Sequence, residues 1–175
     1  RAGVYSGLGR HKKALSDYRV CVAAGNDWAE EGIGETLMKL GDLEGAIRHL
    51  TRALVHGRSY GYLYRKRAVV YRRVGENAKA AADAEKAVEM DPGDMDALFL
   101  RVKTRLNISD AQGALHDLAR LEKLTGENNE YASYLGLASY LLGERAAAEI
   151  YYKKALEAHT SSKEALLNTA CYWWG

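Results

Sequence analysis

An alanine returns at Ala14, Ala46, Ala80, Ala114 and Ala148, with spacings of 32, 34, 34 and 34 residues. A period near 34 held over this length marks a helical solenoid, in which each repeat buries its apolar face only by stacking on its neighbour. Two more columns run in phase with the first. Gly9, Gly41, Gly75 and Gly143 stand five residues before their alanines, with Ser109 as the one departure, and Tyr18, Leu50, Ala84, Leu118 and Tyr152 stand four residues after them.

Each period reads as two amphipathic helices joined by a tight turn. In the third, Tyr64, Arg67, Ala68 and Tyr71 share one face of a first helix, Gly75 ends it, and Ala80, Ala84 and Ala87 stripe a second helix. Glycine suits the turn because a helix C-terminus commonly needs a left-handed residue. Alanine suits the next column because two helices cross closely only where one lacks a bulky side chain. The pattern predicts helices at about 10–24, 28–40, 43–57, 60–74, 77–90, 94–107, 110–124, 128–142, 144–158 and 162–174, with no strands. The single proline, Pro92, follows Asp91 where a helix has already ended.

The third unit resembles the tetratricopeptide repeat family. Tyr64, Ala68, Tyr71, Gly75, Ala80, Ala84, Ala87, Asp91 and Pro92 follow that family's order of aromatic, small, aromatic, glycine, alanine, small or aromatic, alanine and closing Asp-Pro. The resemblance covers essentially the whole chain and implies an all-α, right-handed superhelical solenoid of antiparallel helix pairs. It would form one continuous domain over 1–175, with about five and a half repeats at 1–25, 27–58, 61–93, 95–127, 129–161 and 163–175. The fourth unit departs most: Ser109 replaces glycine, Arg105 the aromatic of the first helix, and Leu121 the last alanine. The chain opens at Arg1 inside a first helix and stops at Trp173-Trp174-Gly175 inside another, without a polar cap, so the expectation is an excerpt of a longer protein whose cut end favours self-association.

Composition narrows the function classes. Lysine and arginine number 25 against 23 acidic residues, and a net charge of +2 makes no general case for nucleic acid or an anionic membrane. Cys21 and Cys171 read as free buried thiols in a reducing compartment. No apolar run approaches the roughly 20 residues of a bilayer span and no charged-then-apolar leader opens the chain, so the expected setting is intracellular and cytoplasmic. Asn107-Ile108-Ser109 reads as an inter-helix turn rather than a glycosylation acceptor. His49 and His56 lie seven residues apart on one predicted helix, but no carboxylate or cysteine completes a metal set. Ser6-Gly7-Leu8-Gly9 lacks the lysine and hydroxyl of a phosphate loop. Neither metal, cofactor nor catalytic activity is expected. Lys79, Asp83, Lys86 and Glu89 read as the solvated outer face of a second helix.

The first helices carry the functional expectation. In the tetratricopeptide family they line a concave groove, which implies that residues off their packing faces meet the ligand. In the third unit these are Tyr62, Arg65, Lys66, Val69, Arg72 and Arg73, joined by Lys103 of the fourth. Farther along, Phe99, Leu100, Leu106, Tyr134, Leu137, Tyr140 and Leu141 turn the face apolar and aromatic. Such a surface suits a protein segment carrying acidic residues beside hydrophobic anchors, since guanidinium groups fork carboxylates and aromatic rings supply contact area at little entropy cost. The clamp by which family members hold acidic chaperone tails is not matched: with the first three units aligned, Gly3 and Gly32 stand where its asparagines belong, and only Lys66 is compatible. The reading is a non-catalytic interaction scaffold. The alternatives are a helical-repeat RNA-binding module, disfavoured by the charge balance, and a docking domain of an enzyme whose catalytic part lies elsewhere.

Overall fold

The turn chemistry of the glycine column decides where each helix pair folds back. The computed structural model describes residues 1–56, 60–126 and 131–157. Among them run α1 (Ala2–Gly7), α2 (His11–Ala23), α3 (Ala29–Leu40), α4 (Leu43–His56), α5 (Gly61–Val74), α6 (Asn77–Met90), α7 (Met95–Asn107), α8 (Ala111–Thr125), α9 (Ala132–Leu141) and α10 (Arg145–Glu157), and no described residue is in a strand. The fold is all-helical, as the periodicity requires. The helix expected at 162–174 lies outside the described residues, as do Cys171, Trp173 and Trp174.

Contacts divide the chain into Arg1–Gly93 and Asp94–Gly175. In the first unit each helix from α1 to α6 packs on the next. In the second, α7 packs on α8, α8 on α9 and α9 on α10, and α7 also touches α9.

Every turn from a first to a second helix closes with the same bond. The amides of Arg10, Asp42, Glu76, Asp110 and Glu144 donate to the carbonyls of Tyr5, Leu37, Tyr71, Arg105 and Ser139, each five residues back, at 2.8–3.0 Å. This closure satisfies a carbonyl that the ending helix leaves without an intrahelical partner, and it requires a left-handed residue next to the donor. Gly41 has φ 87°, Gly75 has φ 86°, and Ser109 takes the same conformation at φ 62° despite its Cβ. Leu8-Gly9 and Ile108-Ser109 are therefore inter-helix turns, with Ser6, Gly7 and Asn107 in the last turn of the helices before them. Aspartates cap the second helices α4 and α8 and the first helix α7: Asp42, Asp110 and Asp94 accept from the amides of Gly45, Gly113 and Ala97 at 2.8, 3.0 and 3.0 Å. At the third boundary α6 stops at Met90 and α7 begins at Met95, with Asp91-Pro92 between them.

The alanine column is the interior of the repeat. Ala14, Ala46, Ala80, Ala114 and Ala148 are all 0% exposed. The column four residues on is buried too, and its two tyrosines need room that only a missing side chain gives. A Cβ on Gly32 would run into the Tyr18 ring, and one on Gly136 would come within 2.8 Å of the Tyr152 ring. Tyr18 thus fills a notch in the first helix of the next pair, Tyr152 a notch in its own.

Three readings change with the structure. Asp83 is not on a solvated face: it is 6% exposed, because it pairs with a half-buried arginine described below. Leu100 and Leu106, expected on the groove face, are 6% and 8% exposed and belong to the interior, since α7 rotates its aliphatic positions inward. Cys21 is a free thiol, but half-buried rather than enclosed.

Ser109 gives a direct test of the turn. Ser109→Gly removes the steric penalty of the left-handed conformation and is expected to stabilise the chain by up to about 1 kcal/mol in urea unfolding. A loss of stability would contradict the turn geometry.

Candidate partner-binding face

Helix α5 carries Arg65, Lys66, Arg67, Arg72 and Arg73 and no carboxylate in its sequence GYLYRKRAVVYRRV. Its packing face is taken by Leu63, Ala68 and Val70, all buried, which leaves the cations to be placed by other contacts.

Arg67 points inward as a fork. Its Nε and Nη2 donate to Asp83 Oδ2 and Oδ1 at 2.7 and 2.8 Å, and Nη1 donates to Thr51 Oγ1 at 3.0 Å. Its guanidinium carbon also lies 5.8 Å from the Tyr64 ring centre and 5.6 Å from that of Tyr71. One arginine thus joins α5, α6 and α4. The same fork recurs at the same register in the second unit, where Arg101 Nε and Nη2 donate to Asp117 Oδ2 and Oδ1 at 2.8 and 2.6 Å. It recurs at the chain start between Arg1 and Asp17 at 2.7 and 2.6 Å, there on the surface. Arg105, which replaces the expected aromatic, donates through Nη1 to Asp117 Oδ2 at 2.8 Å and to the Gly113 carbonyl at 2.9 Å. The departure in the fourth unit thus supplies a second cation to a carboxylate that is fully buried.

Lys66 and Tyr62 turn instead toward α3. Lys66 Nζ bonds Glu31 Oε1 and reaches Glu35 Oε1 at 2.5 Å, and Tyr62 Oη donates to Glu31 Oε2 at 2.9 Å. Burial pulls the Lys66 ammonium down, but the two glutamates outweigh it, so the group is held above its ordinary value. Burial, then the hydrogen bond to Glu31 and that carboxylate's charge, push the Tyr62 phenol up to about 12. These bonds set the first helices α3 and α5 side by side and fix Lys66 Nζ 4.9 Å from the Tyr62 ring centre. Of the other expected residues on α5, Arg65, Val69 and Arg72 are half-buried and Arg73 is exposed.

The expected residues of the second unit form a separate cluster. The Phe99 ring meets the edges of Tyr131 and Tyr134 at 5.2 and 5.0 Å, and Lys103 Nζ lies 4.3 Å from the Phe99 centre and 5.5 Å from that of Tyr134. Tyr134 is only 4% exposed, so its ring serves packing, while Tyr140 is 41% exposed. Sequence reasoning missed Tyr131, and it missed Glu31 and Glu35 as the partners of Lys66. The 16-residue offset between each forked arginine and its aspartate was a legible signal for the buried pairs. His49 Nδ1 lies 2.5 Å from Glu30 Oε2, a pairing outside any metal set. Among the described residues no group of three His, Cys, Asp or Glu could hold a metal ion, and no helix is long and apolar enough to cross a membrane.

Antiparallel helix pairs repeating at 34 residues, with alanine at the crossing and a left-handed turn before it, define an α-helical repeat scaffold. Residues 32–95, 65–107 and 99–163 match the tetratricopeptide repeat family, and the chain belongs to that family. It is 31% identical over 100 residues to sperm-associated antigen 1 of Mus musculus, covering 57% of this chain and 11% of that protein. It is 29% identical over 129 residues to the mitochondrial import receptor subunit TOM70 of Rattus norvegicus, covering 70% of this chain and 21% of that protein. The chain therefore spans about a fifth or less of the curated relatives it matches. Among solved structures it is similar to YrrB, described as a TPR protein with an unusual peptide-binding site, at TM-score 0.84 and 19% identity over 97% of this chain and 88% of that one. It is also similar to MamA, at TM-score 0.79 and 21% identity over 90% and 87%. These structural likenesses show the fold. As a tetratricopeptide repeat array, the chain is a scaffold of the protein-interaction class.

These side-chain contacts can be tested in two ways. Removing one partner of a buried pair strands the other charge, at a cost of about 3–5 kcal/mol, whereas surface pairs contribute little. Asp117→Ala is therefore expected to destabilise most, Asp83→Ala next and Asp17→Ala least in urea midpoints, and a reversed order would refute the graded burial of the forks. The second concerns alkali. The folded Tyr62 phenol sits above its ordinary value of 10, so its contribution is complete below pH 10 and is lost as pH rises from there to about 12. Tyr62→Phe is expected to flatten that stretch of the stability profile, and an unchanged slope would contradict the assignment.

Proposed function

We propose that the chain holds a segment of a partner protein on the face of its first helices, within a larger assembly, and that the contact in the first unit centres on α5. The observation that supports this most is the composition and setting of that helix: five cations and no carboxylate, with Lys66 and Tyr62 held in place by α3. Arg67 is committed to the interior by Asp83 and Lys66 to Glu31 and Glu35 of α3, so Tyr62, Arg65, Val69, Arg72 and Arg73 would meet the ligand, on a helix that Lys66 holds in place. Pre-positioned aromatic and guanidinium groups are the side chains that most often dominate binding energy, because little entropy remains to be lost on contact. The partner segment would carry carboxylates for Arg65, Arg72 and Arg73 beside an apolar anchor for Tyr62 and Val69. In the second unit, Phe99, Lys103 and Tyr140 would form a contact surface of their own, with Tyr134 supporting the Phe99 ring. Treating 1–175 as one continuous array belongs to the same proposal, and the activity of any longer protein carrying it would reside in its partners and neighbours.

The test compares retention of proteins from lysate by the unaltered chain, by the chain with Arg65, Arg72 and Arg73 changed to Glu, and by a control with Lys12, Lys13 and Arg19 changed to Glu, each with and without nuclease. The first triple change is expected to reduce a specific protein partner tenfold or more, and the control, which makes the same net charge change on exposed positions of α2, to leave it in place. Equal retention by all three would overturn the proposal, and nuclease-sensitive retention would point to RNA instead.

A further inference from the structure

The start of α3, the end of α4 and the start of α5 enclose a cleft of about 160 Å³ lined by Asp27, Trp28, Glu31, Ala53, His56, Tyr60, Tyr62 and Leu63. That is room for one side chain, since an apolar cavity of about 150 Å³ accepts a benzene ring. Ala53 and Leu63 are its buried part, at 4% and 3% exposure, whereas Trp28 is 65% and Tyr60 45% exposed. Tyr60 stacks on Tyr62 with ring centres 5.5 Å apart and planes 18° from parallel, so two nearly parallel rings stand together in the lining. Asp27 and Glu31 add two carboxylates to the same lining.

We propose that this cleft receives one arginine side chain of a bound protein segment. Each alternative occupant fits less well. An acidic side chain would meet Asp27 and Glu31 at close range, and an aliphatic one would take water from both carboxylates and return no hydrogen bond. A guanidinium satisfies both parts of the lining: its planar face stacks on aromatic rings, its edge forks a carboxylate, and its aliphatic stem lies along apolar surface such as Leu63 and Ala53. Glu31 already accepts from Lys66 and Tyr62, but an ionised carboxylate has about four acceptor sites, so it retains capacity for a further donor. Beside the cleft, Lys66 Nζ already stands 4.9 Å from the ring centre of Tyr62, a cation next to one of the lining rings.

The inference goes beyond the groove reading because it concerns the N-terminal end of α5 rather than Arg65, Arg72 and Arg73, and it is tested without any captured partner. The ¹⁵N-labelled chain is titrated with acetyl-Gly-Arg-Gly-amide and, in parallel, with the same peptide bearing citrulline, the neutral isostere. The readout is the indole N–H resonance of Trp28, assigned by its loss in Trp28→Phe. The arginine peptide is expected to move this resonance saturably, and the citrulline peptide to bind at least about fivefold more weakly. Asp27→Asn and Tyr60→Ala, with the remaining spectrum unchanged as the check on folding, are each expected to weaken the arginine response. An immobile Trp28 resonance, equal binding of the two peptides, or a full response in both variants would overturn the proposal.

Discussion

Ala14, Ala46, Ala80, Ala114 and Ala148 have no exposed surface, and the close helix crossing that they permit is the constraint on which the rest of each repeat depends. With only a methyl group at the crossing, the second helix can lie down on the first, and neighbouring columns must then fit the reduced spacing. At the next column, four residues on, Tyr18, Leu50 and Tyr152 require the missing side chains of Gly32, Gly34 and Gly136. The turn obeys the same demand from the other side. Two helices that cross closely must be joined by a short reversal, and the five-residue closure onto the carbonyls of Tyr5, Leu37, Tyr71, Arg105 and Ser139 provides it.

Close crossing also explains why an ion pair is tolerated inside. The Arg67–Asp83 and Arg101–Asp117 forks span from a first helix to the second helix of the same pair, with both ends hydrogen-bonded. A buried pair of this kind is a weak source of net stability, because desolvation offsets most of the attraction, but an offset helix would strand both charges. The forks therefore resist sliding of one helix along the other, which apolar alanine and leucine contacts penalise only mildly. At the corresponding places in the second pair, Ile33 stands for the arginine and His49 for the aspartate, and His49 meets Glu30 of the preceding turn instead.

How much of this could be read from the chain depends on the range of each interaction. The helix pairs, their turns and the alanine interior follow from local pattern, because an apolar face and a left-handed turn are specified by residues within one period. Ser109 shows the limit of residue identity: it broke the glycine column in the sequence, yet hydrogen bonding at Asp110 imposes the same turn on it. The side-chain pairings were less legible. Asp83 looked like an outer-face charge because its neighbours Lys79, Lys86 and Glu89 are exposed, and charge alone does not say which acid a distant arginine will find. Lys66 was legible as a residue of the first helix α5, but its partners Glu31 and Glu35 come from the preceding repeat, 35 and 31 residues away, beyond any pattern confined to one helix. The cleft beside Trp28 needs three helix ends to converge, and no spacing in the sequence announces it.

The distribution of charge along α5 connects these points to recognition. Arg67 is spent on holding the helix pair together, and Lys66 on joining α5 to α3. Cations used in this way are poor ligand-binding groups, because a partner would have to compete with hydrogen bonds already made, but they fix the backbone that carries the others. On the proposed function, the recognition chemistry would then differ between the two ends of the helix. The C-terminal end presents Arg72 and Arg73, where positive charge is also favoured by the helix dipole, and the N-terminal end abuts aromatic rings and the carboxylates of Asp27 and Glu31. A segment lying along α5 would therefore meet opposite charge preferences within roughly the 20 Å that a 14-residue helix spans. On the proposed function, such a surface would select direction as well as composition, since a segment reversed end to end would place like charge against like at both ends.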